Sequence, residues 1–128
     1  MKNKTRIITA ILTVLLLAVV VYATGETLVM TPESVNVCPT ESKTFTVILK
    51  DGSGNPIPGE QIDFESSNTA IATVDTPKTT NNNGKATTLV HGISQGEATI
   101  TATWHGHSDV YDTSIARVGS TGGGTCGG

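Results

Sequence analysis

Residues 44–67 read TFTVILKDGSGNPIPGEQIDFESS, and their alternation decides the fold. Phe45, Val47 and Leu49 take every second position among Thr44, Thr46 and Lys50, and Ile62 and Phe64 do the same against Asp63 and Glu65. Successive side chains of an extended chain point to opposite faces, so a period of two marks a strand with one buried side. Between the runs, Asp51 to Pro56 supplies residues that tolerate positive φ and a proline that cannot extend a ladder. The unit is strand, turn, strand.

The same grammar extends outward. Ala98, Ile100, Ala102 and Trp104 alternate with Thr99, Thr101 and Thr103 in EATITATW. Weaker runs are TLVMT (27–31), SVNV (34–37), IATVD (71–75), ATTLVH (86–91) and DVYDTSIARV (109–118). In the last, Tyr111, Thr113 and Ile115 share one face, while Val110, Asp112 and Ser114 share the other. Pro58-Gly59, Asn83-Gly84, Gly92, Gly96 and His105-Gly106 punctuate the runs as turns. Thr and Val dominate, and these β-branched residues suit a pleated surface better than a helix. No helical periodicity follows Thr24. About seven short strands at this spacing predict an all-β chain folded as a two-sheet sandwich. Its expected core includes Phe45, Val47, Leu49, Ile62, Phe64, Ile100 and Trp104.

The first residues speak of location instead. Lys2, Lys4 and Arg6 precede an almost purely apolar stretch from Ile7 to Val21, and Val21-Tyr22-Ala23 sets small residues near a break. That is the pattern of a signal peptide cleaved after Ala23. The stretch 7–23 is also about as long as the shortest helix that crosses a bilayer, so an uncleaved anchor is the alternative. In both cases everything after Thr24 lies outside the membrane. The expected organisation is a leader or anchor over 1–23, a sandwich over 24–119 and a Gly-rich tail over 120–128. Without its three basic residues, five Lys and Arg remain against eleven acids, a net charge of −6. That balance argues against nucleic acid and anionic lipid as partners, because both select basic patches. The membrane is touched only through residues 7–23, and only if they stay attached.

The strand-turn-strand above, with SSNTAIATVD, NNNGKATTLV and GEATITATW, resembles the bacterial immunoglobulin-like (Big) domains of invasin- and intimin-type adhesins. The resemblance runs from about Thr27 to Val118. It implies an immunoglobulin-like Greek-key sandwich, and a spacer or adhesive role without enzyme activity or cofactor. It carries no functional residue over, because the family has no invariant one. Those domains commonly stand in tandem arrays, whereas this stretch holds one.

Two cysteines in an exported protein read first as one disulfide. In the implied fold the second half of the first strand lies parallel to the last strand. Cys38 then falls near the exit of the strand ending at Val118, within reach of Cys126 through Gly119 to Thr125. A link to another chain through the flexible tail, and a free thiol, are the alternatives.

Other candidates are weighed on spacing. His105 and His107, with Asp109 two further on, are a weak metal set lacking a clear further ligand and second shell. The intervening Gly106 fits a hairpin tip better. Asp51 to Asn55 offers one carboxylate where calcium loops need several oxygens. Asp63 and Glu65 are a carboxylate pair that reads as the wet face of a strand. No Gly-x-Ser-x-Gly elbow occurs, and no histidine shows a Ser/Asp arrangement in its spacing. Trp104 with Tyr111 forms a carbohydrate platform only if both are exposed. Thr27 to Met30 is an apolar N-terminal strand that either closes its own sandwich or is lent to a neighbour's edge. The expectation is an exported module, structural or adhesive, meeting protein or glycan at a cell surface, including copies of itself. Two other readings stand beside it: a self-assembling fibre or surface-layer subunit joined by strand exchange or the tail cysteine, and a carbohydrate-binding accessory module.

Overall fold

A computed structural model describes residues 25–119 and Cys126. The expected leader or anchor helix over 1–23 and the rest of the Gly-rich tail lie outside the described residues. Among the described residues, no helix is long and apolar enough to cross a membrane.

The described chain is all-β, with nine strands in two sheets. They are β1 (Thr27–Thr31), β2 (Ser34–Val37), β3 (Ser42–Lys50), β4 (Gln61–Ser66), β5 (Ala72–Val74), β6 (Lys78–Thr79), β7 (Lys85–Gly92), β8 (Gly96–Trp104) and β9 (His107–Val118). One sheet runs β1-β3-β7-β5 and the other β2-β9-β8-β4-β6. The eight runs named from the sequence all appear as strands, and β6 is the addition. Pro32 and Glu33 divide the first extended segment into β1 and β2, which join different sheets. The β6 pair, Lys78–Thr79, is too short to show any alternation.

Register follows from the pattern. β1 pairs antiparallel with β3, from Thr27↔Lys50 to Thr31↔Thr46, and β2 pairs parallel with β9, from Ser34↔Ile115 to Val37↔Val118. From β1 to β8 successive strands alternate between the sheets, so most contacts are long-range and the two layers close one core. The turn at Asn81–Gly84 needs its glycine twice over. Gly84 has φ +70°, and a Cβ there would lie 2.4 Å from the Leu49 carbonyl oxygen. Leu49 O accepts from Ile57 N–H while Gly84 O accepts from Leu49 N–H, which binds the turn to the end of β3.

Phe45, Val47, Leu49, Ile62, Phe64, Ile100 and Trp104 are all buried, joined by Met30, Val37, Val90 and Ala116 among others. Full burial of a side chain such as Phe45 contributes about 1.5–3 kcal/mol relative to exposure. Along β9 the inward face carries Val110, Asp112, Ser114, Ala116 and Val118, a half-polar set within an apolar core. Ser114 is 2% exposed, so its hydroxyl must find a partner inside the protein.

Candidate functional site

The β8–β9 hairpin ends the molecule at the pole where β4 begins, since Ile62 pairs with Trp104. Trp104 closes the inward set of β8; its ring stacks on His107 at 3.7 Å and its Nε1 donates to Glu60 Oε1 at 3.0 Å. His105, at the tip, sits 2.7 Å through Nδ1 from Asp63 Oδ2. The Gln61 amide donates to the other Asp63 oxygen at 2.8 Å. That amide, and next His105, hold the Asp63 carboxyl below its ordinary pKa. The two histidines therefore serve different partners, and Asp109 is exposed beyond them. No group of three metal-ligating side chains forms among the described residues. Glu65 is exposed one residue past Phe64 and shares the wet face with Asp63.

Asp51 is used by its own turn. Its Oδ1 accepts the N–H groups of Ser53 and Asn55, each at 2.9 Å. Those backbone donors, Asn55 first, lower its pKa. A carboxylate so engaged is a turn anchor, and it offers little to a cation. On the outward face of the four-stranded sheet, Ser42 Oγ lies 2.6 Å from His91 Nδ1, and His91 Nε2 lies 2.9 Å from Asp75 Oδ1. Sequence spacing hides this Ser–His–Asp chain, whose members stand 49 and 16 residues apart. It lies on a solvent-facing sheet surface and ties the start of β3, the end of β7 and the segment after β5.

The two lateral seams, where the sheets' outer strands face each other, are built differently from the hairpin pole. At one, β1 is the edge of its sheet, and β9 has β2 beside it only from Ile115 to Val118. Asp112 spans the gap: Oδ2 accepts the Met30 N–H and Oδ1 the Thr113 N–H, both at 2.9 Å. Ser114 Oγ donates to the Pro32 carbonyl at 2.8 Å. A groove of about 330 Å³ remains above them, lined by Glu26 to Val29 and Asp109 to Asp112. At the opposite seam Thr76 Oγ1 accepts the Phe64 N–H at 2.8 Å, and Ser66 Oγ donates to Ala72 O at 2.7 Å. Short polar side chains thus take up backbone groups that no strand reaches.

Cys38 and Cys126 are joined as a disulfide, their Cα atoms 5.4 Å apart. It sits at the pole opposite the hairpin, where β2 and β9 both end. Trp104 is 8% exposed while Tyr111 is 58% exposed, so the flat aromatic pair of a carbohydrate platform is not formed.

Comparison with known proteins agrees with this architecture. The chain is similar to domains 4 and 5 of the S-layer protein SbsC: 26% identity, TM-score 0.63, covering 75% of this chain and 53% of that one. It shares the fold of the Escherichia coli adhesin FdeC (22% identity, TM-score 0.59, 80% of this chain and 33% of that one). It also shares that of a C-terminal intimin fragment solved with the translocated intimin receptor (14% identity, TM-score 0.57, 75% and 33%). The chain thus spans about half or less of these proteins' lengths. No curated protein sequence matches it. The profile of the bacterial Ig-like domain (group 1) matches residues 20–116, and the chain belongs to that family.

Proposed function

We propose that this chain is an exported, non-enzymatic Ig-like module with a structural or adhesive role at a cell surface. The observation that carries the reading is the family match over residues 20–116, together with the likeness to surface-layer domains at 26% identity. The leader-like first 23 residues support export. The tested chemistry points the same way: His105, Asp51 and Asp63 are engaged in local structure, each by hydrogen bonds to its own turn or neighbouring strand.

Shape supports a structural role. Thr27 begins β1 beside Lys50, at the pole of the β8–β9 hairpin, whereas Val118 ends β9 beside Val37 at the other pole. Chain entry and exit at opposite ends suit a module held in line under load. Partners of the fitting class are proteins or glycans of a surface, or further copies of the chain. The buried Trp104 argues against the carbohydrate-accessory reading. The surface-layer subunit remains as a second reading, favoured by SbsC. Its tail-cysteine variant is disfavoured, because Cys126 is bonded to Cys38 of the same chain. Exposure of intact producing cells to a protease and to antibodies against residues 24–119 tests the proposal. Labelling and digestion without lysis are expected; protection until lysis would overturn it.

A further inference from the structure

The stretch from β1 to the disulfide keeps pace with β9. The Met30 N–H meets Asp112 Oδ2, and the Pro32 carbonyl meets Ser114 Oγ, both across 82 residues of sequence. The Ile115 N–H then donates to Glu33 O at 3.0 Å. From there the parallel ladder pairs Ser34 with Ile115 through to Val37 with Val118. The offset between the two segments thus changes by a single residue over the whole run. β9 is one unbroken strand from His107 to Val118, so a segment that advances with it residue for residue is itself extended. Residues 27–38 therefore cross from the hairpin pole to the disulfide pole with almost no slack, although β1 and β2 belong to different sheets. At about 3.3 Å per residue they span about 40 Å.

Cys38 ends this run, and it is bonded to Cys126. The covalent path from Thr27 to Cys126 can therefore leave out the stretch between the two cysteines, a sequence separation of 88. We propose that Thr27–Cys38 and its disulfide form a covalent strap that carries tension from pole to pole and makes the module inextensible. Pulled at its ends, the chain passes force along β1 and β2, across the sulfur–sulfur bond and out through Cys126. Strands β3 to β9 all lie between the two cysteines in sequence, outside that path. A force does work only through extension, and a strap already extended has no length to yield. The sandwich stays folded around it. Asp112, Ser114 and the Ile115 amide lay the strap along β9, and the disulfide takes the load. Without that bond the same pull reaches β9 through the tail, and the whole sandwich becomes the extensible element. The inference rests on the structural-module reading and adds how such a module bears load.

The test pulls the full exported chain in an optical trap or force microscope, between handles fused before Thr24 and after Gly128. Flanking modules of known unfolding length identify single molecules. The oxidised chain is expected to show no step longer than about 10 Å, the slack of a few residues. Cys126→Ser is expected to unfold with a gain of about 270 Å, as residues 27–118 lengthen from about 40 Å to about 310 Å. An insertion of about ten Gly and Ser residues at the exposed His105–Gly106 tip separates the two paths. It should add about 35 Å to the Cys126→Ser step and nothing to the oxidised chain. Should Cys126→Ser fail to fold, the native chain reduced by a dithiol after folding takes its place, with the same step expected. An oxidised chain that lengthens by tens of ångströms would overturn the proposal. So would an oxidised length that grows with the insertion, or a chain without the disulfide that gives no longer step than the oxidised one. The surface-module reading is decided separately, by exposure of residues 24–119 on intact cells.

Discussion

Gly92 shows how narrowly single residues are fixed in this sandwich. A Cβ there would lie 2.4 Å from the Cys38 carbonyl oxygen, and the backbones meet in a bridge between Pro39 and Gly92. Gly92→Ala must push apart β7 and the disulfide-bearing segment, and overpacking of this kind costs about 1–3 kcal/mol. Chemical denaturation should show the loss directly. Phe45→Ala, at 0% exposure, should cost more, about 3–5 kcal/mol, through lost burial and the cavity left behind. Acid sensitivity is a residue-scale property too. Asp51 and Asp63 have lowered pKa values, Asp51 through the Asn55 and Ser53 amides and Asp63 through Gln61 and then His105. A carboxyl whose folded pKa is depressed binds its proton more readily when unfolded. Its stabilisation is therefore complete above the ordinary carboxylate range and is lost as pH falls through the folded value. The stability gap between the native chain and Asp51→Ala should be widest near neutrality and should narrow as pH falls through and below the ordinary carboxylate range. A gap independent of pH would show that the turn does not use the charge.

At the scale of elements, the seams decide whether the two sheets stay closed. Thr76→Val keeps the shape of the side chain but removes the acceptor for the Phe64 N–H, a part-buried donor on the unpaired side of β4. A loss of about 1–3 kcal/mol is expected, with faster amide exchange at Phe64 as the local signature. The strands themselves were legible in the sequence wherever alternation ran long enough. β3, β4 and β8 each declare an inward set, and every residue named from those sets is buried. β6 was hidden because two residues cannot show a period. The seam ties were hidden for a different reason. Asp112 and Ser114 were visible as sharing a face of β9, but a polar face reads as solvent-facing until the partner strand is known. Their partners, Met30 and Pro32, are 82 residues away. The Ser42–His91–Asp75 chain escaped notice likewise, since its members meet only through the β3–β7 and β5–β7 registers.

At the scale of the whole molecule, a single covalent tie closes the far pole. The Cys38–Cys126 bond spans 88 residues, nearly the entire sandwich. Closing such a loop stabilises by about 4–5 kcal/mol in the chain-entropy model, so reduction should lower the denaturation midpoint markedly without changing the fold. The two cysteines read first as one disulfide, and the parallel pairing of β2 with β9 explains why its two ends meet. The most direct measurement is the intact mass of the protein recovered from outside the cell, without reductant and then with it. A monomer matching residues 24–128, two protons light until reduced, is the predicted result. A disulfide-linked dimer or ladder that collapses on reduction, or a species found only inside the cell, would contradict an exported, self-closed Ig-like module.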